Sequence, residues 1–250
     1  MNDVRVELTL AIGFLTRLRL PPVEYSDAAM ARAIRWHPLV GVAIGAALAF
    51  LFSGLNVFLP QAVAALLTIA AGMLLTGALH EDGLADLADG LGGSPDKGRA
   101  LEIMRDSRIG TYGVLALIVT LAIKTTTLAI LPSTTAMVAL VAGHSLGRLT
   151  MLWLMDSLPY ARSTGAAGFM SDATRSDRRI PLLSLAAVII LIAMTTSILT
   201  AIVTVLAVTV LVALLINRLK ARIQGYTGDA LGACEQLTET LIPLVFLACL

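Results

Sequence analysis

The chain has 250 residues, of which 57% are hydrophobic and 14% are charged, with a formal net charge of +1. Its mean hydropathy is +0.86. Soluble domains carry roughly 25% charged residues, and chains of this size bury only about 60–75% of their surface, so this composition excludes a soluble globular protein. The long apolar stretches exclude intrinsic disorder. A net charge near zero also argues against nucleic-acid binding, which requires a basic surface. The composition therefore indicates an integral membrane protein that binds no nucleic acid.

Seven stretches are candidates to cross a bilayer as helices, which takes about 20 mostly apolar residues, although the last has a polar first half. In chain order they are residues 39–59, 61–79, 113–131, 134–155, 182–198, 199–216 and 229–250. Residues 8–20 are fewer and include two arginines, so we expect an interfacial or re-entrant helix there. The predicted fold is all-α: one domain over residues 1–250, a polytopic membrane helix bundle of about seven spans plus that short N-terminal helix.

Segments rich in lysine and arginine alternate with charge-free turns along the chain. Of the 18 basic residues, only Lys124 and Arg148 fall inside predicted spans. Because cytoplasmic segments carry the excess of basic residues, we predict a cytoplasmic N-terminus and cytoplasmic long loops, with the C-terminus in the periplasm. Transporters need polar groups near mid-membrane, and here only Lys124, Arg148 and His144 qualify. This distribution favours an enzyme that works at the cytoplasmic face.

An acidic stretch, residues 80–93, carries the clearest chemical signal. Asp82, Asp86 and Asp89 have the spacing i, i+4 and i+7, which places them on one face of a helix. Three neighbouring carboxylates repel one another, so a bound cation would stabilise them. Their hard oxygen ligands suit Mg²⁺, Mn²⁺ or Ca²⁺, and because His80 lies nearby, zinc is not excluded. The alternative is a solvated acidic face. We favour a metal site, because leucine and alanine fill the intervening positions and the stretch extends directly from an apolar span.

The residues that follow add further candidates for phosphate chemistry. The glycines within residues 90–93 are expected to end the helix and to let the backbone approach a ligand. Asp106 is a candidate fourth metal carboxylate, and Arg105 and Arg108 are candidates for holding phosphate oxygens. The alternative for each arginine is that it marks only a cytoplasmic helix end. Together the carboxylates and arginines indicate metal-assisted phosphoryl transfer, in which a base takes the proton of an attacking hydroxyl.

Residues 76–90 and 100–113 closely resemble the signature of the cobalamin synthase family, the adenosylcobinamide-GDP ribazoletransferases. The resemblance implies a multi-pass enzyme of the bacterial inner membrane that uses Mg²⁺. Its substrates would be adenosylcobinamide-GDP and α-ribazole, or the 5′-phosphate of α-ribazole. The ribazole 3′-hydroxyl would attack the phosphorus on the corrinoid side arm and GMP would leave. Weaker similarities extend the resemblance over nearly the whole chain, at residues 14–17, 36–41, 143–148, 159–162 and 225–233.

The resemblance also assigns roles to individual residues. The implied metal ligands are Asp82, Asp86, Asp89 and Asp106. The catalytic candidates are Glu81, His80 and Asp106, the first two as general base. The substrate-binding candidates are Arg105, Arg108, Lys97, Arg148, Arg162 and Asp229.

Several polar residues inside the predicted spans have two interpretations. His144 and Arg148 lie one turn apart on one helix, and either contact substrate or belong to a structural polar network. Glu235 and Glu239 either line the same cavity or pair with Lys124 or Arg148, and for Glu239 we favour the pairing. Residues 227–229 are expected to cap the last helix, with Asp229 near the N-terminus of that helix.

Other functions also fit parts of the sequence. Asp86, Asp89 and Gly90 match the opening of the CDP-alcohol phosphotransferase motif, but the glycines that follow break it, so a lipid enzyme of that type is the main alternative. A non-catalytic permease or a scaffold for other corrinoid-assembly enzymes is a further alternative. The expected partners are the two substrates and the lipid bilayer, with a second copy of the chain or other corrinoid-assembly enzymes left open. Residues 162–180 are either a mobile lid or a headgroup-binding segment.

Overall fold

The computed structural model describes residues 3–162 and 177–250, and within these ranges the chain is almost entirely α-helical. The helices are α1 (Asp3–Leu15), α2 (Asp27–Ala33), α3 (His37–Phe58), α4 (Gln61–Thr76), α5 (Leu79–Gly93), α6 (Lys97–Ile103), α7 (Thr111–Ile130), α8 (Ser133–Ser157), α9 (Arg179–Thr195), α10 (Ile198–Arg222) and α11 (Gly228–Ala248). A short 3-10 turn joins α2 to α3. Most of the 162–180 segment, interpreted above as a lid or headgroup-binding segment, lies outside the described residues.

Five helical units are long and apolar enough to cross a membrane: α2 with α3, then α7, α8, α10 and α11. Helices α4 and α5 meet the criterion only as a pair, and that pair is bent by 91°. Helix α9 has 17 residues, slightly fewer than the roughly 20 of a full span. The seven expected spans therefore correspond to five complete helices, one broken one and one short one. The prediction of an all-α polytopic membrane bundle is confirmed.

The bend between α4 and α5 corrects the prediction that the acidic stretch continues directly from an apolar span. Gly77 and Ala78 both adopt left-handed backbone conformations, with φ of 69° and 54°. A side chain at Gly77 would collide with the side chain of Arg17. Because a left-handed residue ends an α-helix, the chain leaves the direction of α4 and α5 begins on a new axis.

The glycines of α5 also differ from expectation. Gly93 is the last residue of the helix, as predicted, but Gly90 and Gly92 lie within it. A Cβ at Gly90 would lie 2.5 Å from the side chain of Met104, and one at Gly92 would lie 2.5 Å from the ring of Tyr112. These two glycines make room for neighbouring side chains, so their role here is close packing of α5 against the chain that follows it.

Small residues bring the central helices of the bundle into close contact. A Cβ at Gly45 of α3 would lie 2.6 Å from the Cα of Val141 of α8. Where α5 crosses α11, a Cβ at Gly83 would lie 2.9 Å from the carbonyl oxygen of Asp229, and one at Gly232 would lie 3.1 Å from that of His80. Close backbone approach of this kind is typical of helix packing in membranes. It fixes the start of α5 directly against the N-terminus of α11.

Helix α1 is the short N-terminal helix that the sequence predicts, although it begins and ends about five residues earlier than expected. Its Glu7 is 1% exposed and accepts hydrogen bonds from Trp36 (3.0 Å), Arg32 (2.9 Å) and Arg35 (2.7 Å). Burial acts to raise the pKa of Glu7, but these three donors lower it overall. At the C-terminal end of α1, Phe14 stacks on His37 with ring centroids 5.6 Å apart. Helix α1 is therefore fixed to the bundle through Glu7 near its middle and Phe14 at its C-terminal end.

We expect Gly45→Val to destabilise the protein, because a side chain there forces α3 and α8 apart, and overpacking of this kind costs about 1–3 kcal/mol. The measurement is thermal unfolding of the purified protein in detergent. Gly54→Val, in the same helix, is the control, because a Cβ at Gly54 meets nothing within 4 Å. Equal melting temperatures for the two variants would contradict the close contact between α3 and α8.

Candidate active site

A cavity of about 220 Å³ opens where the C-terminal end of α1 meets the first turns of α5 and α11. One part of its wall is polar and comes from His80 and Asp82 of α5, Asp229 of α11, and Arg162. The rest of the wall is largely apolar, and its larger side chains are Phe14, Leu79, Met151, Tyr160 and Leu231. The cavity thus brings together four of the residues that the sequence singled out.

Helix α5 presents the predicted acidic face. Asp82 is exposed at the cavity wall and Asp86 is half-buried one turn later. The carboxyl of Asp86 interacts electrostatically with those of Asp82, Asp89 and Asp229, and with the Arg162 guanidinium. Asp229 therefore adds a carboxylate from a different helix to the group of acids on α5. This concentration of negative charge is the electrostatic setting that a hard cation favours.

Asp89 has a different environment from the other acids of α5. It is buried, and its two carboxylate oxygens accept hydrogen bonds from the backbone N–H groups of Gly110 (2.7 Å) and Gly113 (2.9 Å). These groups lie at the start of α7, where helical N–H groups have no partner within the helix. Asp89 therefore fastens α7 to α5, a role that the carboxylate spacing did not predict.

The remaining loop candidates lie away from the cavity wall. Asp106 accepts hydrogen bonds from Arg108, the shortest being 2.6 Å, and this interaction lowers the pKa of Asp106 to about 2. Lys97 donates a hydrogen bond to Gln224 at 3.2 Å, and Arg105 is exposed. None of these four predicted site residues lines the 220 Å³ cavity. Their assignment to metal or substrate stays a prediction.

Arg162 is held in place by backbone pairing. The Ala161 N–H donates to the Tyr226 carbonyl at 2.8 Å, and the Tyr226 N–H donates to the Pro159 carbonyl at 2.9 Å. Arg162 then forms an ion pair of 2.8 Å with Asp229. The Thr227 hydroxyl accepts from the Ala230 N–H at 3.2 Å, which confirms the predicted cap of α11. Two distant segments of the sequence thus meet at one side of the cavity.

A network of buried charges lies deeper in the bundle. Arg148 is 1% exposed, and its Nη1 donates to Glu235 and, at 2.7 Å, to Glu239. The ammonium of Lys124 donates to Glu239 at 2.7 Å and to Gln236 at 3.2 Å. The predicted pairing of Glu239 is therefore confirmed, and Arg148 belongs to a buried polar network, while its assignment to substrate stays a prediction. The structure also corrects the expectation that mid-membrane polar groups are confined to Lys124, Arg148 and His144, because Glu235 and Glu239 join them.

The network does not need a metal ion. Within the described ranges, a group of three metal-ligating side chains with ligand atoms within 4.8 Å of one another is formed by His144, Glu235 and Glu239. The guanidinium of Arg148 contacts all three residues and already supplies the positive charge there. The sequence analysis predicted the pairing of Glu239, but for Glu235 it left open whether the residue lines the cavity or forms an ion pair.

The network reaches the cavity through the two catalytic candidates of α5. The Nδ1 of His80 lies 3.5 Å from Oε2 of Glu235, and His80 also lines the cavity. Glu81 is turned the other way, since its Oε1 accepts a hydrogen bond from Gln236 at 3.2 Å. Of the two base candidates, His80 is therefore the one placed at the cavity wall.

We expect Glu239→Ala to lower stability strongly, because breaking a buried ion pair leaves an uncompensated charge at a cost of about 3–5 kcal/mol. The double variant Lys124→Met/Glu239→Gln should be more stable than Glu239→Ala, since Arg148 keeps Glu235 and no other charge is left unpaired. Thermal unfolding in detergent measures both. Glu102→Ala is the control, because its ion pair with Arg99 is exposed and is worth only about 0–1 kcal/mol. A double variant no more stable than Glu239→Ala would contradict this account.

Comparison with known proteins places the chain in a family. The sequence matches the profile described as cobalamin-5-phosphate synthase over residues 7–247. A Shewanella amazonensis protein named adenosylcobinamide-GDP ribazoletransferase is 37% identical over 244 residues, covering 95% of this chain and 93% of the relative. Proteins of the same name from Sinorhizobium medicae and Vibrio cholerae are also 37% identical, with coverage of 97% and 97%, and of 96% and 92%. No solved structure gives a significant match.

The profile and the relatives cover nearly the whole chain, including both the cavity and the buried charge network. The chain therefore belongs to the cobalamin-5-phosphate synthase family.

Proposed function

We propose that this protein joins adenosylcobinamide-GDP to α-ribazole, or to α-ribazole 5′-phosphate, and releases GMP. The relatives that match over nearly their full lengths carry the name of this activity. The observation that carries the proposal is the cavity itself, in which Asp82, His80, Arg162 and Asp229 converge at one end of a membrane helix bundle. Acidic and basic groups placed together in this way suit phosphoryl transfer to a hydroxyl.

In the proposed reaction, the 3′-hydroxyl oxygen of ribazole forms a bond to the phosphorus that carries the corrinoid side arm. The bond between this phosphorus and the oxygen bridging to GMP breaks, and GMP leaves with the electron pair. The hydroxyl proton passes to a base, for which His80 and Glu81 are the candidates. His80 is the better placed, because it lines the cavity whereas Glu81 is bonded to Gln236. Arg162 supplies positive charge beside the reacting phosphates.

We further propose that Asp82, Asp86 and Asp229 hold Mg²⁺. The donor set fits this ion, because all three are hard carboxylate ligands that interact electrostatically with one another. When bound, the cation neutralises phosphate charge and stabilises the leaving oxygen. Asp89 and Asp106 were predicted as ligands too, but both oxygens of each carboxylate already accept hydrogen bonds, from the start of α7 and from Arg108. They are therefore the weaker candidates. Asp229 differs, because Arg162 and Thr227 both bond the same oxygen of its carboxylate.

The proposed location is the bacterial inner membrane, with the N-terminus and the cavity on the cytoplasmic side and the C-terminus in the periplasm. The basic residues support this orientation, since the segments that carry them adjoin the cavity end of the bundle. A cytoplasmic cavity is also accessible to water-soluble nucleotide substrates.

We expect Asp82→Asn and Asp86→Asn each to reduce Mg²⁺-dependent GMP release by roughly 100-fold or more, because a carboxylate that holds charge at the reacting phosphates is removed. The assay uses purified protein with adenosylcobinamide-GDP and α-ribazole, with and without Mg²⁺. Asp96→Asn is the control, because Asp96 caps α6 by accepting from the Arg99 N–H and asparagine caps equally well. Wild-type turnover in either variant would remove that residue from the site. Release of CMP from a CDP-lipid by the wild-type protein, without GMP release, would instead favour the CDP-alcohol alternative.

Asp89→Ala and Asp82→Ala should separate structural from catalytic acids. We expect Asp89→Ala to lower stability by about 1–3 kcal/mol, because the N–H groups of Gly110 and Gly113, the second of them buried, lose their acceptor. Asp82→Ala should leave the melting temperature unchanged, because Asp82 is exposed, while it abolishes GMP release. Equal stability of the two variants would contradict the role of Asp89 in fastening α7.

A further inference from the structure

The residues that line the cavity are of two chemical kinds, and they predict the chemistry of its ligand. The apolar wall residues are aromatic and aliphatic, with Phe14, Tyr160 and Met151 among the larger ones. The polar wall residues include Asp82 and Asp229. A ligand that matches both kinds has a flat apolar ring and also hydroxyl groups. A benzimidazole nucleoside has this division, since its base carries only apolar substituents and its ribose carries the hydroxyls.

The size of the cavity separates the two substrates of the proposed reaction. Binding sites for drug-sized ligands enclose roughly 300–1,000 Å³, and this cavity has a volume of about 220 Å³. A single nucleoside is of this scale. A corrin ring with its nucleotide arm is several times larger, so it can bring only its phosphates to the cavity.

Two polar atoms at the cavity have no hydrogen-bond partner within the described part of the chain. They are Nε2 of His80 and Nε of Arg162, and both atoms are buried. The His80 side chain is 2% exposed and its other nitrogen faces Glu235. Buried polar groups in proteins are normally hydrogen-bonded. His80 and Arg162 are therefore cavity-lining side chains with hydrogen-bonding capacity left over, which a ribose hydroxyl would use once either side chain turns toward the cavity.

We infer that this cavity is the binding site for the acceptor nucleoside, α-ribazole, and that the corrinoid nucleotide binds outside it. This inference rests on the proposed function. The base packs against Phe14 and Tyr160, and the ribose faces His80 and Asp82. Helix α1, which supplies Phe14, is thereby part of the acceptor site and determines which base the enzyme accepts.

The test compares variants that change the apolar wall with matched variants on the lipid-facing surface. Leu79→Trp fills the cavity from a partly exposed position, and Leu74→Trp, at a residue that is 79% exposed, is its control. Phe14→Ala removes an aromatic wall, and Phe50→Ala, at a residue that is 81% exposed, is its control. Each protein is assayed for α-ribazole binding by calorimetry without donor, and for the KM of each substrate.

We expect Leu79→Trp and Phe14→Ala to weaken α-ribazole binding and raise its KM about tenfold. The KM for adenosylcobinamide-GDP should stay within about twofold of wild type, and both controls should behave as wild type. Unchanged α-ribazole binding in both cavity variants, or a rise confined to the donor KM, overturns the assignment. The proposed function fails separately: a wild-type protein that binds α-ribazole but releases no GMP would contradict the reaction and leave the binding site standing. A wild-type protein that does not bind α-ribazole refutes the site.

Discussion

The buried ion pairs of Arg148 with Glu235 and Glu239 are the interaction on which the arrangement of the site depends. Charges inside a membrane bundle are costly, and they persist where they are paired. Here the pairs join α8 to α11, and Lys124 adds α7 through Glu239. Because Glu235 also faces His80, the network extends to α5. Four helices are thereby held at fixed rotations about their axes, and the residues at the cavity follow from those rotations.

Helix α5 serves both the network and the cavity because adjacent helical residues point in different directions. Glu81 is bonded to Gln236 inside the bundle, whereas Asp82 is exposed at the cavity wall. The close contact between Gly83 and the backbone of α11 brings Asp229 to the same place. One helix can therefore bury part of its polar surface in a balanced ionic network and present the rest to a water-soluble substrate.

Much of the fold was predictable from the sequence because membrane insertion imposes long apolar stretches that composition reveals. The exceptions are local. The 91° bend depends on left-handed residues at Gly77 and Ala78, and alanine gives no sequence signal for that conformation. The partners of Asp89 lie more than 20 residues away, at Gly110 and Gly113, so no local spacing reveals them.

The site was predictable only where its residues lie close together in the sequence. The acids of α5 share one helix, and their periodicity identified them together. The ion pair between Arg162 and Asp229, by contrast, joins residues 67 positions apart, and the wall formed by Phe14 comes from the opposite end of the chain. Arg162 and Asp229 were identified through the resemblance to a family, and Phe14 lies in a stretch that resembles the family but predicts no role for it.

The buried ion pairs lie inside the membrane bundle and the cavity lies at its end. This arrangement explains how a membrane protein can position the reacting groups. A polar core within lipid has no alternative water partners, so its hydrogen bonds hold the surrounding helices firmly. In phosphoryl transfer the protein forms few covalent bonds itself. Its main task is to position the attacking hydroxyl next to the phosphorus. In a small soluble domain such positioning needs a large apolar core, whereas here the lipid-facing helices and their internal ion pairs provide it. The membrane thus acts as part of the scaffold that keeps His80, Asp82 and Asp229 in place.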